Sequence, residues 1–103
     1  MKLQPTLGFI GKEFTLSKVN DISIAKGVIG VDKEIVKSGD KDVTFVYVTC
    51  FGSTAEYLAN YGGKGARIFI QKWTVEQKII DDKMYYDFLI QQVKILDKKK
   101  EAN

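Results

Sequence analysis

Residues Val43–Phe51 read Val-Thr-Phe-Val-Tyr-Val-Thr-Cys-Phe, nine consecutive residues without a charge and almost all β-branched or aromatic. Such a run reads as a strand. Side chains on a strand alternate between faces. One face is then Thr44, Val46, Val48 and Cys50, small and aliphatic. The other is Val43, Phe45, Tyr47, Thr49 and Phe51, with three rings. A single small core has room for only one of these faces.

The remaining segments fall between glycines and turn residues. Leu7–Phe14 is an apolar strand with an expected bend at Gly11. Ile22–Val31 is a second, rich in Ile and Val, where Gly27 and Gly30 suggest a bulge or a barrel corner. Val36–Val43 is polar, and Ser38-Gly39-Asp40 signals a loop. After the strand Val43–Phe51 the pattern changes. Ser53 or Thr54 is placed to cap a helix, with Glu56 three residues after Ser53. Ala55, Leu58, Ala59 and Tyr61 follow helical spacing, and Gly62-Gly63 ends it. Ala66–Ile79 and Met84–Leu96 are two long strands joined by the turn Asp81-Asp82-Lys83. Residues 98–103 form a short charged tail.

Three strands, a short helix and a long hairpin fit an all-β, five-stranded Greek-key barrel of the oligonucleotide/oligosaccharide-binding (OB) type, with its helix between strands 3 and 4. The expected domain is 1–97. A six-stranded sandwich with one stray helix is the structural competitor.

Composition narrows the chemistry. The chain of 103 residues has no histidine and one cysteine. That removes His-based acid–base catalysis, Ser-His and Cys-His nucleophiles and nearly all zinc sites. No enzyme, metal or cofactor is expected. A lone Cys50 fits a reducing cytoplasm. No apolar run approaches the ~20 residues of a membrane span, and the first residues do not read as a secretory signal. The net charge is +3, and Arg67 is the only arginine among 16 cationic residues. Lysine is a mobile point charge, whereas arginine reads base edges through a rigid fork. A nucleic-acid partner would therefore be held by its backbone rather than read by sequence.

Two outward faces carry the candidate site. On the first strand of the pair just described these are Phe45, Tyr47 and Phe51. On Ala66–Ile79, Ile68 and Ile70 look like core, and parity puts Arg67, Phe69, Gln71, Trp73 and Val75 opposite. Rings on an open sheet face stack unpaired bases with little sequence preference. Lys72, Lys78 and Lys83 are candidates for phosphate contacts. The competing use of the rings is packing under the helix, inside the barrel or in a subunit interface. Gly62-Gly63-Lys64-Gly65 lacks the spacing of a phosphate loop, and Asp81-Asp82 reads as a solvated turn rather than a metal site. Lys98-Lys99-Lys100 is a solvated tail that would at most assist electrostatic capture.

The stretch Thr49-Cys50-Phe51-Gly52-Ser53-Thr54-Ala55-Glu56-Tyr57-Leu58-Ala59-Asn60-Tyr61 resembles the bacterial and phage single-stranded DNA-binding proteins. In that family a Phe-Gly pair ends the third strand and a helix with Ala-Glu near its start follows. Lys64-Gly65-Ala66-Arg67-Ile68-Phe69-Ile70 is similar to the family's next turn and strand, Val93–Asp97 to its closing strand, and Phe9-Ile10-Gly11-Lys12, more loosely, to its first. The resemblance spans residues 7–97.

It implies an OB barrel, self-association as a homodimer or tetramer, and sequence-independent binding of single-stranded DNA in replication and recombination. The family's stacking rings fall on Phe51 and Phe45. Two others fall near Ile79 and Ile35, which have no ring; Trp73 is the expected substitute for the first. The end of the chain lacks the family's acidic, Phe-tipped tail, which points to a minimal, phage-type member in the host cytoplasm. Other replication or recombination proteins are possible partners. The alternative is a primosome-type accessory barrel whose aromatic face is a protein interface; that role requires Trp73 to be buried in the free protein.

Overall fold

A computed structural model describes residues 1–32 and 43–97. The loop expected around Ser38-Gly39-Asp40, Ile35 and the tail 98–103 lie outside the described residues. The elements are β1 (Lys2–Leu3), β2 (Thr6–Val19), β3 (Ile22–Asp32), β4 (Val43–Phe51), α1 (Gly52–Tyr61), β5 (Arg67–Ile80) and β6 (Lys83–Ile95). The expected strands and helix are all present, close to their expected ends except that β2 runs to Val19, well past the expected end at Phe14. β1 was not foreseen.

Strand order is β5-β2-β3-β4-β6, and β6 pairs back onto β5, which closes a five-stranded barrel. All these pairings are antiparallel except β4–β6, which is parallel at Val48↔Phe88 and Thr49↔Leu89. With α1 lying between β4 and β5, this is the OB fold. β1 adds a short sixth strand on β5 at Lys2↔Thr74 and Leu3↔Trp73. Both hairpins turn on two acidic or amide residues with positive φ: Asn20 and Asp21 between β2 and β3, Asp81 and Asp82 between β5 and β6. Positive φ at both central residues gives the twist that a two-residue hairpin needs. Lys83, assigned to the turn from sequence, is the first residue of β6.

The core lies inside the barrel and under α1. Ile10, Ala25, Ile29, Val48, Cys50, Leu58, Ile68, Ile70, Trp73 and Ile90 are essentially inaccessible. α1 covers this interior with Ala55 and Leu58. Its start differs from expectation: Phe51 is the cap residue and no side chain caps the helix. Thr54 Oγ1 instead donates to the Gln91 carbonyl at 3.2 Å, and the Ile95 N–H donates to Tyr57 Oη at 2.9 Å. Side chains that could have capped or exposed the helix thus tie it to β6. At the other end the Gly62 N–H closes on Leu58 O.

Trp73 is the main departure from the sequence reading. Parity placed it outward, but only 1% of it is exposed. The β5–β6 register breaks between Ile70 and Lys72 and again between Lys72 and Trp73. A bulge inserts a residue and reverses the sense of alternation beyond it. Ile68 and Ile70 point inward before the bulge, and Trp73 points inward after it. Its Nε1–H donates to Gln4 O at 2.9 Å, and its ring packs on Phe88 with centroids 5.7 Å apart.

Trp73→Ala should therefore remove about 3–5 kcal/mol of stability in urea melts, as for other large core rings. Trp73 emission in the folded protein should be blue-shifted and poorly quenched by iodide. A solvent-exposed emission spectrum would contradict this packing.

Candidate nucleic-acid interface

The pairing of β4 with β3 runs without a break from Val43↔Asp32 to Phe51↔Ile24. Alternation is therefore intact along the whole of β4. Val46, Val48 and Cys50 are buried, while Phe45 is 59% exposed, Tyr47 81% and Phe51 47%. This face of β4 continues onto β3 and β2 in register. Phe45 stands beside Gly30 and Gly30 beside Phe9; Tyr47 beside Val28 and Val28 beside Lys12. Thr49 stands beside Lys26 and Lys26 beside Thr15; Phe51 stands beside Ile24. The result is an open, twisted sheet face of rings and aliphatic groups with two lysines set among them.

Gly30 is what lets two rings meet in the first row. A Cβ there would come within 2.4 Å of the Phe9 ring. With no side chain between them, Phe9 and Phe45 pack edge to face, centroids 5.8 Å apart and planes at 89°. The glycine expected to mark a bulge therefore makes room for rings; the bulges of this hairpin lie on β2, between Ile10 and Thr15. Beside Tyr47 is a shallow depression of about 240 Å³, lined among others by Lys12, Lys26, Val28 and Thr49.

Gly52 has φ +64°. That left-handed conformation is natural for glycine. It turns the chain out of β4 into α1 directly after Phe51, so the ring sits at the rim of the sheet face.

The other candidates are dispersed. Arg67 pairs with Phe9, and Phe69 with Leu7, so both lie on the same outer surface across β2. The Arg67 guanidinium is already held by Asp97: Nε–Oδ2 is 2.7 Å and Nη2–Oδ1 2.9 Å. Gln71 and Lys72 line a separate cavity of about 410 Å³ with Lys2, Leu3, Trp73 and Gln91, at the β5 bulge. Lys78 is paired with Asp87 at 3.1 Å, and Lys83 follows the hairpin turn. Neither lysine lies on β2, β3 or β4. Trp73 is core, so it does not replace the ring missing at Ile79. The face has a ring and two lysines absent from the sequence-based set: Phe9, Lys12 and Lys26. Lys26 had a readable signal, being the only charge inside Ile22–Val31. Lys12 had none, because the β2 bulges break its parity; Phe9 lies before them, in regular alternation with the buried Ile10.

Among the described residues three groups have shifted titration: Cys50, Asp97 and Arg67, whose guanidinium is raised first by its hydrogen bonding to Asp97. Burial pushes the Cys50 thiol up to about 12, so it stays protonated and unreactive. The Asp97 carboxyl is lowered to about 2, first by its hydrogen bonds with the Arg67 side chain.

No protein-family model and no curated protein sequence matches this chain. Solved structures do. The SSB domain of a Synechococcus protein superposes with a TM-score of 0.68 at 10% identity, covering 90% of this chain and 93% of that one. A mitochondrial single-stranded DNA-binding protein from S. cerevisiae gives 0.68 at 18%, over 97% of this chain and 100% of that one. A small single-stranded DNA-binding protein from Streptomyces coelicolor gives 0.61 at 11%, over 98% and 94%. The likeness extends across the whole barrel and is one of fold. No helix among the described residues is long and apolar enough to cross a membrane.

The Arg67–Asp97 pair yields a test in acid. A depressed carboxylate adds stability above its ordinary value near 3.8 and loses that contribution as pH falls through about 2. Thermal melts between these limits should show a stability loss that is smaller in Asp97→Asn.

Proposed function

We propose that this chain is a non-enzymatic, sequence-independent single-stranded DNA-binding protein of the SSB type. The observation that carries the reading is the outward face of β2, β3 and β4, where Phe9, Phe45, Tyr47 and Phe51 are grouped with Lys12 and Lys26. Large rings in water have no structural use here, since the core is complete without them. They offer π-faces to unpaired bases, while the lysines attract phosphates. The fold shared with the solved SSB structures supports the same reading. Arg67 and Phe69 extend the face across β2, and Gln71, Lys72, Lys78 and Lys83 take at most a peripheral part. The protein would act on unpaired DNA in replication or recombination, as a phage-type member in the host cytoplasm. It would do so as a homodimer or higher assembly, beside other proteins of that machinery.

The alternative, an accessory barrel using this face as a protein interface, called for a buried Trp73. Trp73 is buried, but by Gln4 and Phe88 of its own chain, so its burial no longer separates the two readings. DNA binding does. Because the indole is remote from the proposed face, the readout should be anisotropy of labelled oligo-dT rather than tryptophan quenching.

Saturable binding of oligo-dT is expected, and its absence would overturn the proposal. Tyr47→Ala and Phe51→Ala should each weaken binding by about 5- to 150-fold, the equivalent of ~1–3 kcal/mol per stacked base. The loss should be similar for oligo-dA and oligo-dC, with the fold intact by circular dichroism. Affinity should also fall with salt at a log–log slope of about −0.7 per neutralised phosphate. Lys12→Ala and Lys26→Ala should each flatten that slope by about 0.7, whereas the ring variants leave it unchanged.

A further inference from the structure

The cavity at the β5 bulge lies away from the aromatic face. Its volume is about 410 Å³, and Lys2, Leu3, Gln71, Lys72, Trp73 and Gln91 line it. None of these residues is on β2, β3 or β4. Pockets that hold small molecules run from about 300 to 1,000 Å³. In the β5–β6 register Ile70 faces Val93, Lys72 faces Gln92 and Trp73 faces Ile90, so Gln71 and Gln91 are left without cross-strand partners. Irregularities of this kind re-aim side chains, and both of these residues border the cavity. Leu3 and Trp73 supply its apolar wall. The indole is fixed there, because its Nε1–H donates to Gln4 O.

The charge of the lining has one sign. Lys2 and Lys72 border the cavity, and among the described residues no carboxylate does. Arg67 is held by Asp97 and Lys78 by Asp87, and Lys12 and Lys26 share their depression with Glu13. Lys2 and Lys72 have no such partner among the described residues, and the Gln71 and Gln91 side chains make no hydrogen bond with one. A phosphate monoester carries close to two negative charges at neutral pH, whereas each phosphodiester inside a strand carries one. Two lysines match the monoester. Lysine binds phosphate as a point charge, and a carboxamide adds N–H donors. A carboxamide also sets a donor beside an acceptor, the pattern that pairs with an adenine edge.

We propose that this cavity binds the phosphate monoester of a nucleotide, free or at the 5′ end of a strand, with Lys2 and Lys72 on the phosphate and Gln71 and Gln91 beside it. The site is separate from the aromatic face, and either can fail without the other.

The chain has one tryptophan, Trp73, and it borders the cavity, so its emission reports occupancy. In phosphate-free buffer, deoxyadenosine 5′-monophosphate should bind saturably by calorimetry and change that emission. Deoxyadenosine should bind at least about tenfold more weakly, for want of the charge-assisted bonds. Lys2→Gln and Lys72→Gln should each weaken the nucleotide roughly 10- to 100-fold, the size of one such bond. Lys64→Gln, the same charge change outside the cavity, should not, and neither should Tyr47→Ala. Affinity should fall below about pH 6, where the phosphate dianion takes up a proton. A 5′-phosphorylated oligo-dA that displaces the nucleotide makes a strand end the ligand; one that does not makes it the free nucleotide. Absence of both heat and emission change at millimolar nucleotide overturns the proposal. So does deoxyadenosine binding equally well, or a loss in Lys64→Gln equal to those in Lys2→Gln and Lys72→Gln. Displacement by oligo-dA with a 5′-hydroxyl overturns it too, because the cavity is then a stretch of the strand's own path.

Discussion

A closed barrel of five strands has room inside for one face of each strand and no more. Everything else in this molecule follows from that limit. Once Val46, Val48 and Cys50 fill the interior beside Ile29 and Ile68, β4 has to turn Phe45, Tyr47 and Phe51 to water. The rings are not surplus hydrophobic groups left over from folding, because the interior is closed by Leu58 and Ala55 of α1 without them. Glycines on the neighbouring strands then decide how the rings settle. Where a side chain would stand between Phe9 and Phe45, Gly30 leaves a gap, and the two rings close over it.

How much of this could be read from the sequence depended on whether alternation survived along each strand. On β4 it did: the ladder to β3 is unbroken, and the two faces of the strand are as its spacing implies. On β5 it did not. The irregularity around Lys72 moves Trp73 from the face with Arg67 and Phe69 into the core, and no residue type in Ile70–Trp73 announces it. A bulge is set by the partner strand and by the need to bend around a small barrel, which are non-local facts. The same holds on β2, where the breaks between Ile10 and Thr15 hid Lys12 from a count of parity. The helix was legible in extent because Ala55, Leu58 and Gly62 report local spacing. Its cap was not, since the helix begins at Gly52 and so puts Ser53 and Thr54 inside its first turn, where Thr54 Oγ1 donates to β6, 37 residues away.

The lysines show a related limit. Fifteen of them give the chain its positive balance, but composition does not say which face they serve. Lys12 and Lys26 lie among the rings. Lys78 faces Asp87, and Lys83 adjoins Asp81 and Asp82. On the aromatic face Glu13 likewise lines the depression that Lys12 and Lys26 share. Arg67 is a further case: it borders the rings, yet its fork is matched to both oxygens of Asp97, which fixes the end of β6 against the start of β5.

This division of labour bears on how a small sheet face could hold a flexible strand. Four rings and two lysines make a weak site, since ordering each nucleotide opposes the stacking gained. Widening the face would require a larger barrel, and the interior could not then be filled by this chain. The homodimer or higher assembly proposed above would avoid the conflict by joining copies. A single strand that reaches both faces meets the second at an effective concentration set by its own length, and avidity rises without a new contact on either face.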